Sequence, residues 1–325
     1  MTECGWAGGE NKKQNSLLDY TRAGYELNII FALDFTVNSG NIHKSDAIEK
    51  IVRQLATTLG PYSSNEFTMV GYGAKPPKQT DIAAAFNLSF DAQDMGSKQL
   101  LSPTPRSMAE YSNIYLHWTR GVNESIQAYK AALTKTRLGN MVNAKKPPKP
   151  VKKRAPSSSF VSNFSSAEEI FGPAEAADSS PSSLSSPMDV EEVSTYGPNE
   201  FYPVLDGARK IALSLLQKRK YTILFLIATN DYISVEPTIK KLSDSAKSPL
   251  SVVLIGVGSV AFKALSSIDY NEFRSKDGFN REYVQLCLFN ECAQDERVLC
   301  EKVLRFIPGQ IVKFFAQKGA RPIKN

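Results

Sequence analysis

NIIFALDFTVNSG, residues 28–40, decides the fold. Asn28 to Leu33 is a short, almost unbroken apolar run, one strand long and without polar alternation. That pattern marks a strand buried on both faces. The run ends in Asp34, and Asp34-Phe35-Thr36-Val37-Asn38-Ser39-Gly40 continues as a loop. An acid and hydroxyls at alternating positions after a buried strand can converge their oxygens on one point, which suits a hard divalent cation. The other reading is a strand-end acid that accepts hydrogen bonds from nearby backbone amides. These residues alone leave both open.

The same alternation of buried strand and amphipathic helix extends outward. A helix is predicted from about Ser45, with Ile48, Ile51, Val52, Leu55 and Leu59 on one face and Gly60-Pro61 as its stop. Phe67 to Tyr72 and Phe86 to Phe90 read as strands, separated by the punctuation of Lys75-Pro76-Pro77-Lys78. Gly121 to Tyr129 reads as part of a helix. Further on come a helix over 204–217, a strand over 222–228, a helix over 235–246, a strand over 251–257, a short helix over 261–267, a strand over 283–289 and a last helix over 296–315. Strands alternating with helices require crossover connections. The fold class expected is α/β, a mostly parallel sheet with one antiparallel edge strand and helices on both faces.

Between the two halves the polymer changes character. Residues 139–194 are rich in Pro and Lys, then in Ser and acids, with no Lys or Arg between Arg154 and Arg209. Such a stretch buries too little apolar surface to offset an ordering entropy of roughly 1–2 kcal/mol per residue. It is expected to be a disordered insertion. The organisation read from the sequence is a disordered start at 1–15, the first half of one domain at 16–138, the insertion at 139–194, the second half at 195–318 and a tail at 319–325.

Net charge is +6 over 325 residues, but it is local rather than spread along a face. Lys145, Lys146, Lys149, Lys152, Lys153 and Arg154 lie close together within the insertion, and no basic stripe interleaves with aromatics as a single-strand binder requires. No specific nucleic-acid partner is expected. The basic tract supports contact with an import receptor, with a polyproline-binding groove through Pro147 and Pro150, or with anionic lipid, besides a plain solvated linker. No apolar run reaches the roughly 18–20 residues of a membrane span. Thr2 argues against N-myristoylation, and the start lacks the pattern of a secretory signal. Four cysteines, Cys4, Cys287, Cys292 and Cys300, form no disulfide framework. A cytoplasmic protein is expected, with membrane-associated or nuclear placement as alternatives.

Several motifs in one order carry a family resemblance: Leu17-Leu18-Asp19-Tyr20, Ala32-Leu33-Asp34-Phe35-Thr36, Gly71-Tyr72-Gly73-Ala74-Lys75-Pro76-Pro77, Tyr196-Gly197-Pro198, Ile255-Gly256-Val257-Gly258 and Ile307-Pro308-Gly309-Gln310-Ile311-Val312. Together they resemble the copine family. The resemblance implies a von Willebrand factor A-like domain with a metal-ion-dependent adhesion site. In the family that site takes Asp-x-Thr-x-Ser from the first loop, a Thr after Tyr-Gly-Pro, and an Asp from a Thr-Asp-Gly turn. This chain keeps Asp34 and Thr36. It has Asn38 at the serine position with Ser39 displaced by one, Asn199 for the threonine, Asn230 for the second aspartate, and Asp231 where glycine would stand. The expectation is a degraded site with weak or no Mg²⁺ or Ca²⁺ binding, in a non-enzymatic module that binds protein partners at its loop face. The family also implies calcium-dependent phospholipid binding through an N-terminal domain pair. About 27 residues precede Asn28, too few for that pair.

Two enzyme or cofactor signatures compete. Cys287, Cys292 and Cys300, with His43 and His117 elsewhere, cannot supply the eight ligands of a ring-type zinc domain. Gly256-Val257-Gly258-Ser259-Val260-Ala261 matches the dinucleotide-binding fingerprint and joins a strand to a helix. It follows a late strand, and no acid ends a strand about 20 residues on, so a tight strand-to-helix turn is the expected reading. No catalytic residue is assigned, and two histidines leave little for imidazole acid–base chemistry.

Overall fold

The apolar run at 28–33 becomes the middle of the sheet, because every one of its neighbours in space is another buried strand. A computed structural model describes residues 15–36, 40–43, 45–74, 85–88, 107–135, 201–231, 233–269, 273–274, 280–292 and 295–322. The first half runs α1 (Leu17–Arg22), β1 (Glu26–Asp34), α2 (Gly40–His43), α3 (Ala47–Leu59), β2 (Glu66–Tyr72), β3 (Phe86–Asn87), α4 (Met108–Tyr115), β4 (Thr119–Arg120) and α5 (Gly121–Lys135). The second half runs α6 (Tyr202–Leu215), β5 (Lys220–Ala228), α7 (Val235–Ser245), β6 (Leu250–Gly256), α8 (Lys263–Asp269), β7 (Phe273–Arg274), β8 (Asn280–Arg281), β9 (Val284–Leu288), α9 (Glu296–Leu304) and α10 (Ile307–Gln317).

The strand order is β3-β2-β1-β5-β6-β9, with β4 also paired to β2. The pairs β1–β2, β1–β5, β5–β6 and β6–β9 are parallel, while β3 and β4 run antiparallel to β2. The expected α/β fold is therefore present, with two short antiparallel strands among the described residues where one was expected, and a separate antiparallel pair β7–β8. The two halves of the chain join through the β1–β5 pair, Ile29 opposite Ile223 and Phe31 opposite Phe225.

Side chains alternate between two cores because successive strand residues point to opposite faces. Ile29, Phe31, Leu33, Ile223, Phe225 and Ile255 pack beneath α3, α5, α9 and α10. Ile30, Ala32, Leu224, Leu226, Val252 and Leu254 pack beneath α4, α6, α7 and α8. Each of the larger of these side chains, removed from water, contributes about 1.5–3 kcal/mol relative to exposure. In α3 the predicted stripe Ile48, Ile51, Val52, Leu55 and Leu59 is buried, and Gly60-Pro61 ends the helix in a 3₁₀ turn.

The last helix differs from expectation. It divides into α9 and α10 around Arg305-Phe306, because Pro308 stands at the start of α10 and supplies no N–H to continue α9. The strand predicted to reach Phe90 is described only at 86–87. Arg281 was also not foreseen as core. It is 1% exposed, its guanidinium donates to the carbonyls of Ser248 (2.7 Å) and Leu250 (3.0 Å) and to the Tyr221 hydroxyl, and the rings of Tyr221, Tyr283 and Phe314 surround it.

Candidate binding site at the carboxyl edge of the sheet

In an open parallel sheet the crevice lies beyond the strand carboxyl ends where the strand order reverses. Here that point falls between β1, whose first neighbour in sequence is β2 on one side, and β5 on the other. Asp34 is the last residue of β1, and Thr229 and Asn230 follow β5 directly.

Asp34 is fully buried and its carboxylate is ringed by donors. Oδ1 accepts the backbone N–H of Thr36 at 2.8 Å. Oδ2 accepts the backbone N–H of Thr229 at 3.1 Å, the Thr229 hydroxyl at 2.7 Å and Nδ2 of Asn230 at 3.2 Å. The same Nδ2 donates to Thr36 Oγ1 at 3.2 Å. The amide orientation follows from chemistry: an ionised carboxylate only accepts, so Asn230 must present its NH₂ group to Asp34. Asp34, Thr36 and Asn230 thus meet, with the Asn230 amide hydrogen-bonded to both Asp34 Oδ2 and Thr36 Oγ1.

Behind Asp34, the carbonyl of Asp34 accepts from His43 Nε2 at 2.8 Å, which fixes the proton on that nitrogen. Nδ1, 2.9 Å away, faces the Tyr129 hydroxyl as acceptor. Burial lowers the His43 pKa against the opposing pull of Asp34, so the ring is neutral at pH 7. His43 and Thr229 were not foreseen as part of the site. His43 lies nine residues from Asp34 in a polar stretch, Gly40-Asn41-Ile42-His43-Lys44-Ser45, which carried no signal of its role. Thr229 was visible only as the residue before Asn230.

Asp231 is placed elsewhere. Its carboxylate accepts the backbone N–H groups of Ala264 (2.8 Å) and Leu265 (3.0 Å) at the start of α8. It therefore satisfies a helix terminus and stands away from Asp34. This bears on the Gly256–Ala261 fingerprint, whose phosphate would have to occupy those same helix N–H groups. An acid of the protein already holds them. In addition, Gly256 faces Phe262, whose ring a Cβ there would meet at 2.9 Å, so this glycine serves close packing.

Asn38, Ser39 and Asn199 lie outside the described residues, as do Lys145 to Arg154 and the rest of 136–200. Among the described residues, no group of three or more His, Cys, Asp and Glu is arranged to hold a metal, and no helix is long and apolar enough to cross a membrane.

A family model for copines matches residues 187–323, the stretch that supplies β5, β6, β9 and Asn230. Residues 187–323 form a copine-family domain. It is 30% identical over 143 residues to Copine-C of Dictyostelium discoideum, covering 41% of this copine and 26% of that one. It is 22% identical over 329 residues to Protein BONZAI 1 of Arabidopsis thaliana, covering 95% of this copine and 43% of the relative. The chain thus spans less than half the length of these curated relatives. Among solved structures, proximal thread matrix protein 1 from the mussel byssus overlays at a TM-score of 0.38 and 11% identity, over 85% of this chain and 47% of that one. The copine motifs Ala32–Thr36 and Gly71–Ala74 adjoin the Asp34 cluster: Gly73 has φ +78° and lies against the Thr36 side chain.

Proposed function

We propose that this copine is a non-enzymatic protein-binding module whose loop face works without a bound cation. The observation that carries the reading is the Asn230 amide, which donates to both Asp34 and Thr36. Mg²⁺ needs near-octahedral oxygen ligands at about 2.0–2.1 Å and usually more than one carboxylate or phosphate. The described cluster offers one carboxylate, already accepting four hydrogen bonds, one of them from the Asn230 amide N–H₂. These residues do not fit Mg²⁺. What they fit is a rigid, hydrogen-bonded rim: the amide does the cation's job of holding the two loops together, and the loop face stays preorganised for a protein partner.

Affinity capture on the purified full chain tests this, in EDTA and again in Mg²⁺, with a Gly73→Trp variant that remodels the loop face as the control. Partners that bind equally in both buffers and are lost with the variant support the reading. Capture that needs Mg²⁺, or that ignores the variant, overturns it.

A further inference from the structure

Away from the Asp34 cluster, the outer end of the sheet carries a thiol pair with no role in that reading. Cys287 lies on β9 and Cys292 follows the 3₁₀ turn Phe289–Glu291, which folds the chain back so that the two Sγ atoms stand 3.7 Å apart. Both are buried as free thiols, and Cys292 also lies 3.6 Å from the Leu288 carbonyl. Cys287 lines a cavity of about 380 Å³, together with Ser266, Leu288, Lys302, Arg305 and Phe306. Phe306 is 55% exposed, and Glu291, Lys302 and Arg305 are exposed too, so the cavity opens at the surface. Its cations outnumber its acid: Glu291 pairs with Lys302 at 3.3 Å, and Arg305 adds a second positive charge.

We propose that Cys287 and Cys292 form a thiol–disulfide exchange site for small disulfides with carboxylate ends, of the glutathione disulfide class, which enter through this cavity. In the first step the Cys287 thiolate attacks one sulfur of the small disulfide. The S–S bond breaks, and the departing thiolate takes up the proton that Cys287 released. In the second step the Cys292 thiolate attacks Cys287 Sγ in the mixed disulfide. A second small thiol leaves with the proton of Cys292. The protein dithiol is oxidised to a Cys287–Cys292 disulfide and one small disulfide is reduced to two thiols.

The geometry supplies what the chemistry needs. At 3.7 Å the second thiol is already in contact with the first, so ring closure competes well with the reverse attack of the small thiol. Lys302 favours the thiolate and, with Arg305, attracts the carboxylates of the incoming molecule. Burial pushes the Cys287 thiol up to about 12, helped by the adjacent Cys292. Exchange is therefore slow at neutral pH and speeds up about tenfold per pH unit below that value, since the thiolate is the nucleophile.

The test uses the reduced full chain, incubated under native conditions with glutathione disulfide, then quenched and mapped by mass spectrometry. The expected product is a peptide cross-linked between Cys287 and Cys292, with Cys300 free. Cys292→Ser should stop the reaction at a mixed disulfide on Cys287. Cystamine, a cationic disulfide of similar reactivity, should react at least about fivefold more slowly at low salt, a gap that closes in high salt. Mapping of the unmodified chain requires no variant to fold. Free Cys287 and Cys292 after prolonged exposure at pH 9, cross-links that involve other cysteines instead, or equal rates with cystamine would each overturn the proposal.

Discussion

The side-chain amide of Asn230 lies 3.2 Å from Asp34 Oδ2 and 3.2 Å from Thr36 Oγ1, so one neutral group ties the loop after β5 to the loop after β1. Changing that amide to a carboxylate should change what the site holds. Asn230→Asp places two carboxylates in contact, a pair of like charges that cannot both ionise without a cation between them. The expected outcome in EDTA is a lower Tm, recovered by Mg²⁺, and the double change Asn230→Asp with Asn199→Thr should bind Mg²⁺ measurably by calorimetry. The unmodified chain should not bind it with a micromolar Kd, roughly −8 kcal/mol. Micromolar binding by the unmodified chain would show that the amide is no barrier.

Gly73 is required by its conformation and by its neighbour. Its φ is +78°, and a Cβ would stand 2.4 Å from Thr36 Cγ2. Gly73→Ala should cost about 1–3 kcal/mol in urea unfolding. It should also weaken partner capture, because Thr36 must move off the Asn230 amide. Lost stability with undiminished capture would separate Thr36 from the binding face.

Asp206 on α6 gives the fold a predictable response to acid. Burial alone would raise its pKa, but hydrogen bonds from Lys210 (2.9 Å) and Lys241 (3.0 Å) outweigh that and hold the carboxyl below the usual range. Arg209 at 3.3 Å and the Tyr111 hydroxyl at 3.1 Å complete the cluster, which joins α4, α6 and α7. A carboxyl depressed in the folded state stabilises fully above its unfolded value, about 3.9, and the gain disappears as pH falls through the folded value. Asp206→Asn should therefore lose about 1–2 kcal/mol at pH 7, a figure reduced by the partial exposure of the three cations. The gap from the unmodified chain should narrow below about pH 4. Denaturant titrations at pH 7 and pH 2.5 read it, and a gap that does not change with pH would mean that packing rather than charge holds these helices.

Arg281 should be among the most sensitive core positions. Arg281→Ala opens a cavity and removes the guanidinium donor from the carbonyls of Ser248 and Leu250 and from the Tyr221 hydroxyl. The expected loss is about 3 kcal/mol or more by urea unfolding. A near-neutral result would show that the desolvation of this cation cancels what its hydrogen bonds return.

Much of this was legible in order along the chain. The apolar runs at 28–33, 222–228 and 251–257 announced buried parallel strands, and the stripe from Ile48 to Leu59 announced the helix between β1 and β2. The break between α9 and α10 was less so, because the apolar pattern continues across Arg305-Phe306 and only Pro308 signals the stop. Arg281 was not legible at all. A lone arginine reads as surface, and its burial depends on Tyr221, Tyr283 and Phe314, which reach it from separate elements. The Cys287–Cys292 contact depended likewise on the turn between them.

The Asp34 site shows the division most clearly. The sequence by itself determined the strand that carries Asp34 and the residue types around it, an asparagine at 230 among them. Those are properties of local pattern, set by burial periodicity and residue chemistry. Only the tertiary structure decided where the polar atoms go: Thr229 and Asn230 onto Asp34 from a strand 195 and 196 residues away, Asp231 onto the start of α8, and His43 behind the loop. A buried carboxylate must be satisfied by whatever donors the sheet brings to it. Which donors those are is fixed by strand order and register, not by neighbours in sequence.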